Sequence, residues 1–137
     1  MNLDLLVADL ERDEGYRQLP YKDTRGKLTI GVGLNLTDVG LSREEALFIL
    51  RDRINSILLQ MDELVLGFSG LSPDRQRALV NMAYNMGVKG LLKFTDMLTA
   101  LYEHRYDDAA VAALDSVWAR QVGDRATRIA NLIRSAE

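Results

Sequence analysis

The sequence predicts an α+β fold that is mostly α-helical, with a small β-hairpin region between a first helix and a longer helical region. The hairpin prediction rests on residues 20–37, where turn-forming residues border a segment rich in alternating β-branched residues. The helical prediction rests on apolar residues that recur every three or four positions from residue 42 onward. A chain of 137 residues with 47% hydrophobic residues fits one domain with its own core.

The first predicted helix ends beside Glu14. Leucines recur at helical spacing over residues 3–10, and Gly15 supplies the backbone freedom that ends a helix. Residues 23–26 have the composition of a tight turn, and residues 27–32 have the alternation of a strand. Because so few short strands are not stable alone, we expect the helices to supply their hydrophobic support.

From residue 42 onward the chain is predicted to be nearly all helix. Ser42 and Glu45 have the spacing of a capping box, which predicts a helix of about five turns. Its apolar stripe comprises Ala46, Leu47, Leu50, Ile54, Ile57, Leu58 and Met61. Ser72 and Pro73 are typical of a helix start and predict a central core helix that ends at Gly87. Shorter helices are predicted over residues 95–103, 107–118 and 124–135.

Composition excludes several classes of function. The formal net charge is -3, which argues against a protein that coats nucleic acid. The chain has no cysteine and a single histidine, His104, so no metal or other cofactor is predicted. No apolar run reaches the roughly 18 residues of a membrane span, so we expect no membrane insertion. The first residues lack the basic segment of a signal peptide, so we expect synthesis in the cytosol.

Three polar residues around the predicted hairpin are the best candidates for catalysis. Glu14 ends the first helix, Asp23 lies in the turn, and Thr29 lies on the following strand. Two carboxylates facing one cleft suit glycoside hydrolysis, in which one protonates the leaving oxygen and the other activates water. We expect apolar surroundings to keep Glu14 protonated and the turn to keep Asp23 charged, with Thr29 holding a water.

Three blocks of sequence resemble the phage T4-type lysozyme family in collinear order. The first comprises Asp13-Glu14-Gly15-Tyr16-Arg17, residues 20–33 and residues 35–37; the second, residues 77–87, Gly90, Phe94 and Thr95; the third, residues 107–111, Trp118, Arg125, Ala126 and Arg128. The blocks cover almost the whole chain, which makes the resemblance far more specific than the triplet alone. The sequence is therefore identified as a member of this family.

The resemblance implies a lysozyme-like single domain over residues 1–137. Its small N-terminal hairpin lobe would cover about 12–60, and its helical C-terminal lobe about 61–137 together with the N-terminal helix. A long helix beginning near Ser42 would join the lobes, with peptidoglycan between them. The resemblance further implies hydrolysis of the β-1,4 bond between N-acetylmuramic acid and N-acetylglucosamine. Glu14 would be the general acid, with Asp23 and Thr29 positioning the water, which predicts inversion.

Other residues are assigned roles by the same resemblance. The predicted substrate-binding residues are Gly33, Asn35, Tyr84, Asn85 and Phe94. Arg125 matches an arginine that approaches the catalytic glutamate, and Arg128 matches one that pairs with the preceding acid, here Asp13. For both arginines, ordinary surface pairing is the alternative. For Phe94 the alternative is core packing, which is also the interpretation favoured for Trp118 over stacking on sugar.

Some features depart from the family pattern. Leu34 stands where some relatives have a histidine, and the stretch between Thr37 and the long helix is shorter than in T4 lysozyme, which should open one wall of the cleft. A net charge of -3 and a pI near 5.2 differ from the basic character common among wall-degrading lysozymes, and predict weak electrostatic steering. His104 is interpreted as a surface loop residue.

The leading functional hypothesis is a monomeric phage endolysin, a muramidase that stays in the host cytoplasm until a holin or a membrane lesion releases it to the wall. A lytic transglycosylase would cleave the same bond without an activated water. A catalytically silent peptidoglycan-binding module would keep only the fold. The intact set of Glu14, Asp23 and Thr29 favours hydrolysis over both alternatives.

Overall fold

A computed structural model of the chain describes residues 1–135, and the last two residues of the predicted C-terminal lobe lie outside that range. Within it are eight α-helices, one short 3-10 helix and three β-strands. The elements are α1 (Leu3–Glu14), β1 (Arg17–Lys22), β2 (Leu28–Gly31), β3 (Leu34–Asn35), α2 (Arg43–Leu64), a 3-10 turn (Phe68–Gly70), α3 (Pro73–Met86), α4 (Val88–Leu91), α5 (Thr95–Tyr102), α6 (Tyr106–Leu114), α7 (Val117–Val122) and α8 (Asp124–Arg134). The mostly helical α+β prediction is confirmed.

The chain divides into two compact units, Met1–Ile49 and Leu50–Glu137. The first holds α1 and the sheet, and the second holds the hydrophobic core; α2 begins in the first unit and ends in the second. The predicted single domain, with lobes that divide near residue 60, stays a prediction.

The first unit is organised around an antiparallel sheet with the strand order β1-β2-β3. α1 ends at Glu14, as predicted, because Gly15 adopts a positive φ of 74° and its N–H bonds back to Glu11. β1 begins at Arg17, earlier than the predicted hairpin region, because Arg17 pairs with Gly31 of β2. All residues of this unit are described, and Thr29 alone among them is buried.

The capping box predicted for α2 is present. The Ser42 hydroxyl accepts a hydrogen bond from the Glu45 N–H at 3.1 Å, and the Glu45 carboxylate accepts one from the Ser42 N–H at 2.9 Å. At 22 residues the helix is longer than the predicted five turns. Of its predicted apolar stripe only Met61 is buried, and Leu58 is exposed. The amphipathic pattern therefore located the helix but overstated how much of the stripe is covered.

The core of the second unit surrounds α3. Ser72 caps this helix and Pro73 opens it, as predicted, and Ala78, Leu79 and Met82 are buried. The helix predicted over residues 107–118 is wrong in one respect, since α6 ends at Leu114 and α7 starts at Val117. Ser116 separates them: its hydroxyl donates to the Ala113 carbonyl and accepts from the Ala119 N–H, so it caps a new helix.

Arg75 is a buried charged residue whose role no sequence pattern predicts. Its side chain extends from α3 to α8, where Nε donates a hydrogen bond to the Ile133 carbonyl at 2.8 Å. The guanidinium also lies 3.4 Å from the centre of the Tyr106 ring. A positive charge at the carbonyl end of a helix complements the helix dipole, so Arg75 fastens α8 to the core.

No helix within residues 1–135 combines the length and apolar character needed to cross a membrane.

Candidate active site

Glu14 is placed against the sheet by the turn between β2 and β3. A Cβ atom added to Gly33 in that turn would lie 2.6 Å from Glu14 Oε2, so the bare α-carbon of Gly33 leaves room for the carboxyl group. The Glu14 side chain is nonetheless exposed. The expectation that apolar surroundings bury Glu14 is therefore wrong for this structure, because neither the end of α1 nor the β2–β3 turn covers it.

Asp23 is fixed at the opposite end of β2 by the turn that it begins. Its Oδ1 accepts hydrogen bonds from the Arg25 N–H at 2.8 Å and the Lys27 N–H at 2.9 Å. This is the local bonding that favours aspartate in tight turns. Both bonds use the same oxygen, so Oδ2 is the one that can accept a proton from water.

Thr29 is linked to Asp23 through the backbone of one residue. The Thr29 hydroxyl donates to the Lys27 carbonyl at 3.0 Å, while the Lys27 N–H donates to Asp23. The carbonyl also accepts from the Asp23 N–H at 2.9 Å. The two side chains thus share Lys27 as a common anchor. Thr29 is 4% exposed, the lowest value in its unit.

The two carboxyl groups lie beside opposite ends of β2. Asp23 is anchored to the residue that precedes this strand, and Glu14 contacts the turn that follows it. A four-residue strand spans about 10 Å between its first and last α-carbons. The exposed Glu14 carboxyl group thus lies beside one end of β2 and the half-buried Asp23 carboxylate beside the other, and Thr29 lies within the strand between them.

Asn35 and Asp13 have partners within the first unit. The Asn35 carbonyl oxygen accepts from the Asp38 N–H at 2.9 Å, and its amide nitrogen donates to the Asp38 carboxylate at 3.2 Å. Asn35 therefore orders the loop after β3, and its backbone pairs with Thr29. Asp13 accepts a hydrogen bond from Arg12 of the same helix at 3.2 Å.

The second unit contains the remaining predicted binding residues. The Asn85 side-chain oxygen accepts from Trp118 Nε1 at 2.9 Å, and the Phe94 ring lies edge-on to Trp118 at 6.1 Å between centres. Trp118 is 8% exposed, so its predicted core packing is confirmed. A cavity of about 380 Å³ lies beside Phe94 and Trp118. Tyr84 is exposed on α3.

The two predicted supporting arginines lie on α8. Arg125 Nε donates to the Asn81 side-chain oxygen at 2.9 Å, and its Nη2 donates to the Asn81 carbonyl at 3.2 Å. Arg125 and Tyr84 line a largely apolar groove of about 470 Å³. Arg128 is exposed on the same helix. Within its own unit, Arg125 is thus held by an amide rather than by a carboxylate.

The sequence patterns did not predict the contact between Arg17 and Tyr21 on β1. The Arg17 guanidinium carbon lies 4.7 Å from the centre of the Tyr21 ring, and Tyr21 pairs with Thr29 across the sheet. Pro20 is the signal that could have pointed to this region, because proline inside a strand is confined to edge strands and bulges. β1 has both features, since it is an edge strand and its register shifts between Arg17 and Tyr21.

Comparison with known proteins gives the family. The chain matches the model of the phage lysozyme family over residues 11–136, a range that includes Glu14, Asp23 and Thr29. It belongs to this family. Membership of the phage lysozyme family places the chain among the lysozyme-type glycoside hydrolases.

Curated relatives of two kinds are similar to this member of the phage lysozyme family. The pre-baseplate central spike protein Gp5 of Enterobacteria phage T4 is 34% identical over 96% of this chain, which spans 28% of that protein. Probable T4-type lysozyme 2 of Dictyostelium discoideum is 27% identical over 92% of this chain and 91% of its own length. Probable T4-type lysozyme 1 of the same organism is 26% identical over the same shares.

Proposed function

We propose that this member of the phage lysozyme family hydrolyses the β-1,4 bond between N-acetylmuramic acid and N-acetylglucosamine in bacterial peptidoglycan. The observation that carries the proposal is the placement of Glu14 beside the turn after β2, with Asp23 anchored before β2 and joined through Lys27 to Thr29 within that strand. One chain supplies both carboxyl groups and the hydroxyl, so a monomer suffices for the chemistry.

In the proposed reaction, Glu14 is the general acid. Its proton goes to the glycosidic oxygen as the bond to the anomeric carbon breaks, which leaves positive charge on the sugar ring. The Asp23 carboxylate takes a proton from the attacking water, whose oxygen bonds to the anomeric carbon. Thr29 orients that water. The exposure of Glu14 lets bulk solvent return its proton for the next cycle.

The spacing favours inversion over a covalent intermediate. Inverting enzymes keep their carboxyl groups about 6.5–9.5 Å apart to admit a water, whereas retaining enzymes hold them about 5–5.5 Å apart. Glu14 contacts the turn that follows β2 and Asp23 is anchored to the residue that precedes it, and this placement favours the wider gap. Asp23 is also held by two backbone N–H groups, which fix it as an acceptor for a water proton.

A lytic transglycosylase is the nearest enzymatic alternative. That reaction closes a 1,6-anhydro ring and needs no activated water, so it gives no role to the anchored Asp23 and Thr29. Mass spectrometry of fragments released from purified peptidoglycan in ¹⁸O-labelled water separates the two reactions. Hydrolysis predicts reducing-end muramic acid that carries one heavy oxygen; unlabelled anhydro products would reject it.

A catalytically silent binding module is tested by Glu14→Gln. The amide keeps the shape of the carboxyl group but cannot donate the acid proton, so we expect kcat to fall at least about 100-fold while binding to peptidoglycan persists. Release of reducing ends measures kcat, and co-sedimentation with peptidoglycan measures binding. Full activity of the variant would reject Glu14 as the acid, and inactivity of the parent chain would favour the module.

For the cellular role we propose an endolysin, held in the host cytoplasm until a holin or a membrane lesion releases it to the wall. Family membership supports a role in wall degradation. The similarity to a baseplate spike protein favours a second role, in which the same chemistry belongs to a phage particle. Antibody detection in purified particles and in particle-free lysate distinguishes them, since an endolysin remains in the lysate fraction.

A further inference from the structure

The stacked pair Arg17 and Tyr21 lies beside the side chain proposed to orient water. Tyr21 is directly opposite Thr29 in the antiparallel ladder of β1 and β2. Directly opposite residues place their side chains on the same face, with Cβ atoms about 4.5–5.5 Å apart. The Tyr21 and Thr29 side chains are therefore neighbours on one face of the sheet, and the Arg17 guanidinium carbon lies 4.7 Å from the centre of the Tyr21 ring.

A bulge in β1 brings the pair together. Arg17 and Tyr21 are four positions apart, whereas their partners, Gly31 and Thr29, are only two apart. Four positions of a regular strand would span about 13 Å, so the bulge shortens the gap between the guanidinium and the ring.

The function of Thr29 depends on which way its hydroxyl points. The Thr29 hydroxyl donates its hydrogen bond to the Lys27 carbonyl oxygen, 3.0 Å away, so its oxygen lone pairs can accept a hydrogen bond from water. Another rotamer would break this arrangement, and β-branched side chains have few rotamers to choose from. Thr29 is the one buried residue of its unit and lies between Tyr21 and Asn35 in the sheet.

We propose that Arg17 and Tyr21 are positioning residues for the hydrolytic water. The guanidinium holds the ring against Thr29, and the ring keeps the Thr29 hydroxyl in the rotamer that accepts from the attacking water. The inference rests on the proposed hydrolysis and deepens it, because it assigns the orientation of the nucleophile to a contact outside the carboxyl pair. Neither residue has to touch the substrate.

The first test replaces the ring. Tyr21→Leu should lower kcat about tenfold with KM within about twofold of the parent value, because a misplaced water slows the chemical step and leaves sugar binding intact. Tyr21→Phe keeps the ring and its contact with the cation, and should recover most of kcat. Tyr102→Leu makes the same change at an exposed tyrosine of the second unit and serves as the matched control. Reducing ends released from soluble peptidoglycan fragments give both constants.

The second test asks whether the pair acts through Thr29. In a Thr29→Val background the hydroxyl is gone, so adding Tyr21→Leu should lower kcat no further. Arg17→Met should lower kcat about threefold in the parent and leave it unchanged in that background, and Arg17→Lys should rescue part of the loss. Arg17 is exposed, so its variants carry the test if Tyr21→Leu fails to fold.

Two outcomes would overturn the inference. Equal losses of kcat in the parent and Thr29→Val backgrounds would show that the pair acts independently of Thr29. A raised KM with unchanged kcat would assign the ring to sugar binding. Both outcomes require an active parent enzyme that incorporates heavy oxygen. A parent that releases no labelled reducing ends would instead reject the proposed function itself.

Discussion

At the scale of single residues, the close approach of Gly33 to Glu14 gives a direct prediction. Gly33→Ala adds a Cβ that would lie 2.6 Å from Glu14 Oε2, at a φ of 66° that alanine rarely adopts. We expect kcat to fall at least about tenfold because the carboxyl group is displaced. We also expect a loss of about 1–2 kcal/mol in the free energy of unfolding from backbone strain.

Gly40→Ala is the matched control for this change. Gly40 has a similar φ of 67°, but an added Cβ there would meet nothing within 4 Å. This variant should lose comparable stability while keeping kcat, as measured by urea unfolding and reducing-end release. Equal losses of kcat in the two variants would mean that strain, rather than displacement of Glu14, lowers the activity.

The sequence predicted which residues are candidates for catalysis but not the contacts that orient them. Glu14, Asp23 and Thr29 stand in a string that resembles the family, and that string predicts carboxylate chemistry; their spacing alone would equally fit solvated surface groups. The shared Lys27 anchor depends on the exact geometry of the turn over residues 23–29, which the identity and spacing of the residues do not specify. The prediction that Glu14 is desolvated failed because it assumed surroundings that only tertiary packing can supply.

At the scale of elements, local capping signals were the most reliable. The start of α2 at Ser42 and of α3 at Ser72, and the end of α1 at Gly15, follow from side-chain caps and glycine conformation within a few residues. The break between α6 and α7 was missed because the alanine-rich pattern continues through it. Ser116 and the packing of Trp118 decide that break, and neither is visible as periodicity.

The capping box of α2 supplies a prediction for stability and pH. Ser42→Ala removes the acceptor of the Glu45 N–H and should lower the free energy of unfolding by about 1 kcal/mol. Hydrogen bonds from the Ser42 N–H and then from its hydroxyl lower the pKa of Glu45 below its ordinary value in the folded state. Because the pKa of Glu45 is lower in the folded state than in the unfolded state, the ionised carboxylate stabilises the fold at pH values above its unfolded-state pKa. This stabilisation is lost as the pH falls through the folded-state pKa.

The variant Glu45→Gln tests the direction of this pH dependence. It should be less stable than the parent at neutral pH, and the difference should shrink as pH falls below the ordinary carboxyl range. Glu44→Gln, one residue earlier in the same turn, controls for removing an acidic side chain near the start of the helix. Urea unfolding at a series of pH values measures both. A gap between Glu45→Gln and the parent that widens toward acid would contradict the assignment.

The hydrogen bond between Asn85 and Trp118 joins α3 to α7 and decides between two roles for Asn85. Asn85→Leu should cost about 1–3 kcal/mol in unfolding free energy, because the nearly buried indole N–H loses its acceptor. Asn85→Asp retains an acceptor oxygen and should cost less. Thermal unfolding measures both variants. Unchanged stability together with a raised KM would instead support the sugar-binding role that the family resemblance implies.

At the scale of the whole molecule, the net charge predicts how the lytic rate depends on salt. The formal net charge of -3 offers no attraction to anionic wall polymers, unlike the positive surface of basic lysozymes. Long-range attraction is the part of an association rate that salt screens, with a Debye length of about 8 Å at physiological ionic strength. We therefore expect the lytic rate on intact walls to stay level or rise slightly as salt is added.

A charge-reversed variant tests whether net charge sets this salt dependence. Asp62 and Glu63 are exposed near the end of α2, whose last turn has no basic residue, so lysines there complement the helix dipole. Since each reversal adds two charges, Asp62→Lys with Glu63→Lys brings the formal net charge to +1. The variant should lyse walls faster at low salt and lose that advantage as salt screens it, while both proteins should cleave soluble neutral fragments alike. A parent rate that falls steeply with added salt would mean that a local positive surface outweighs the net charge.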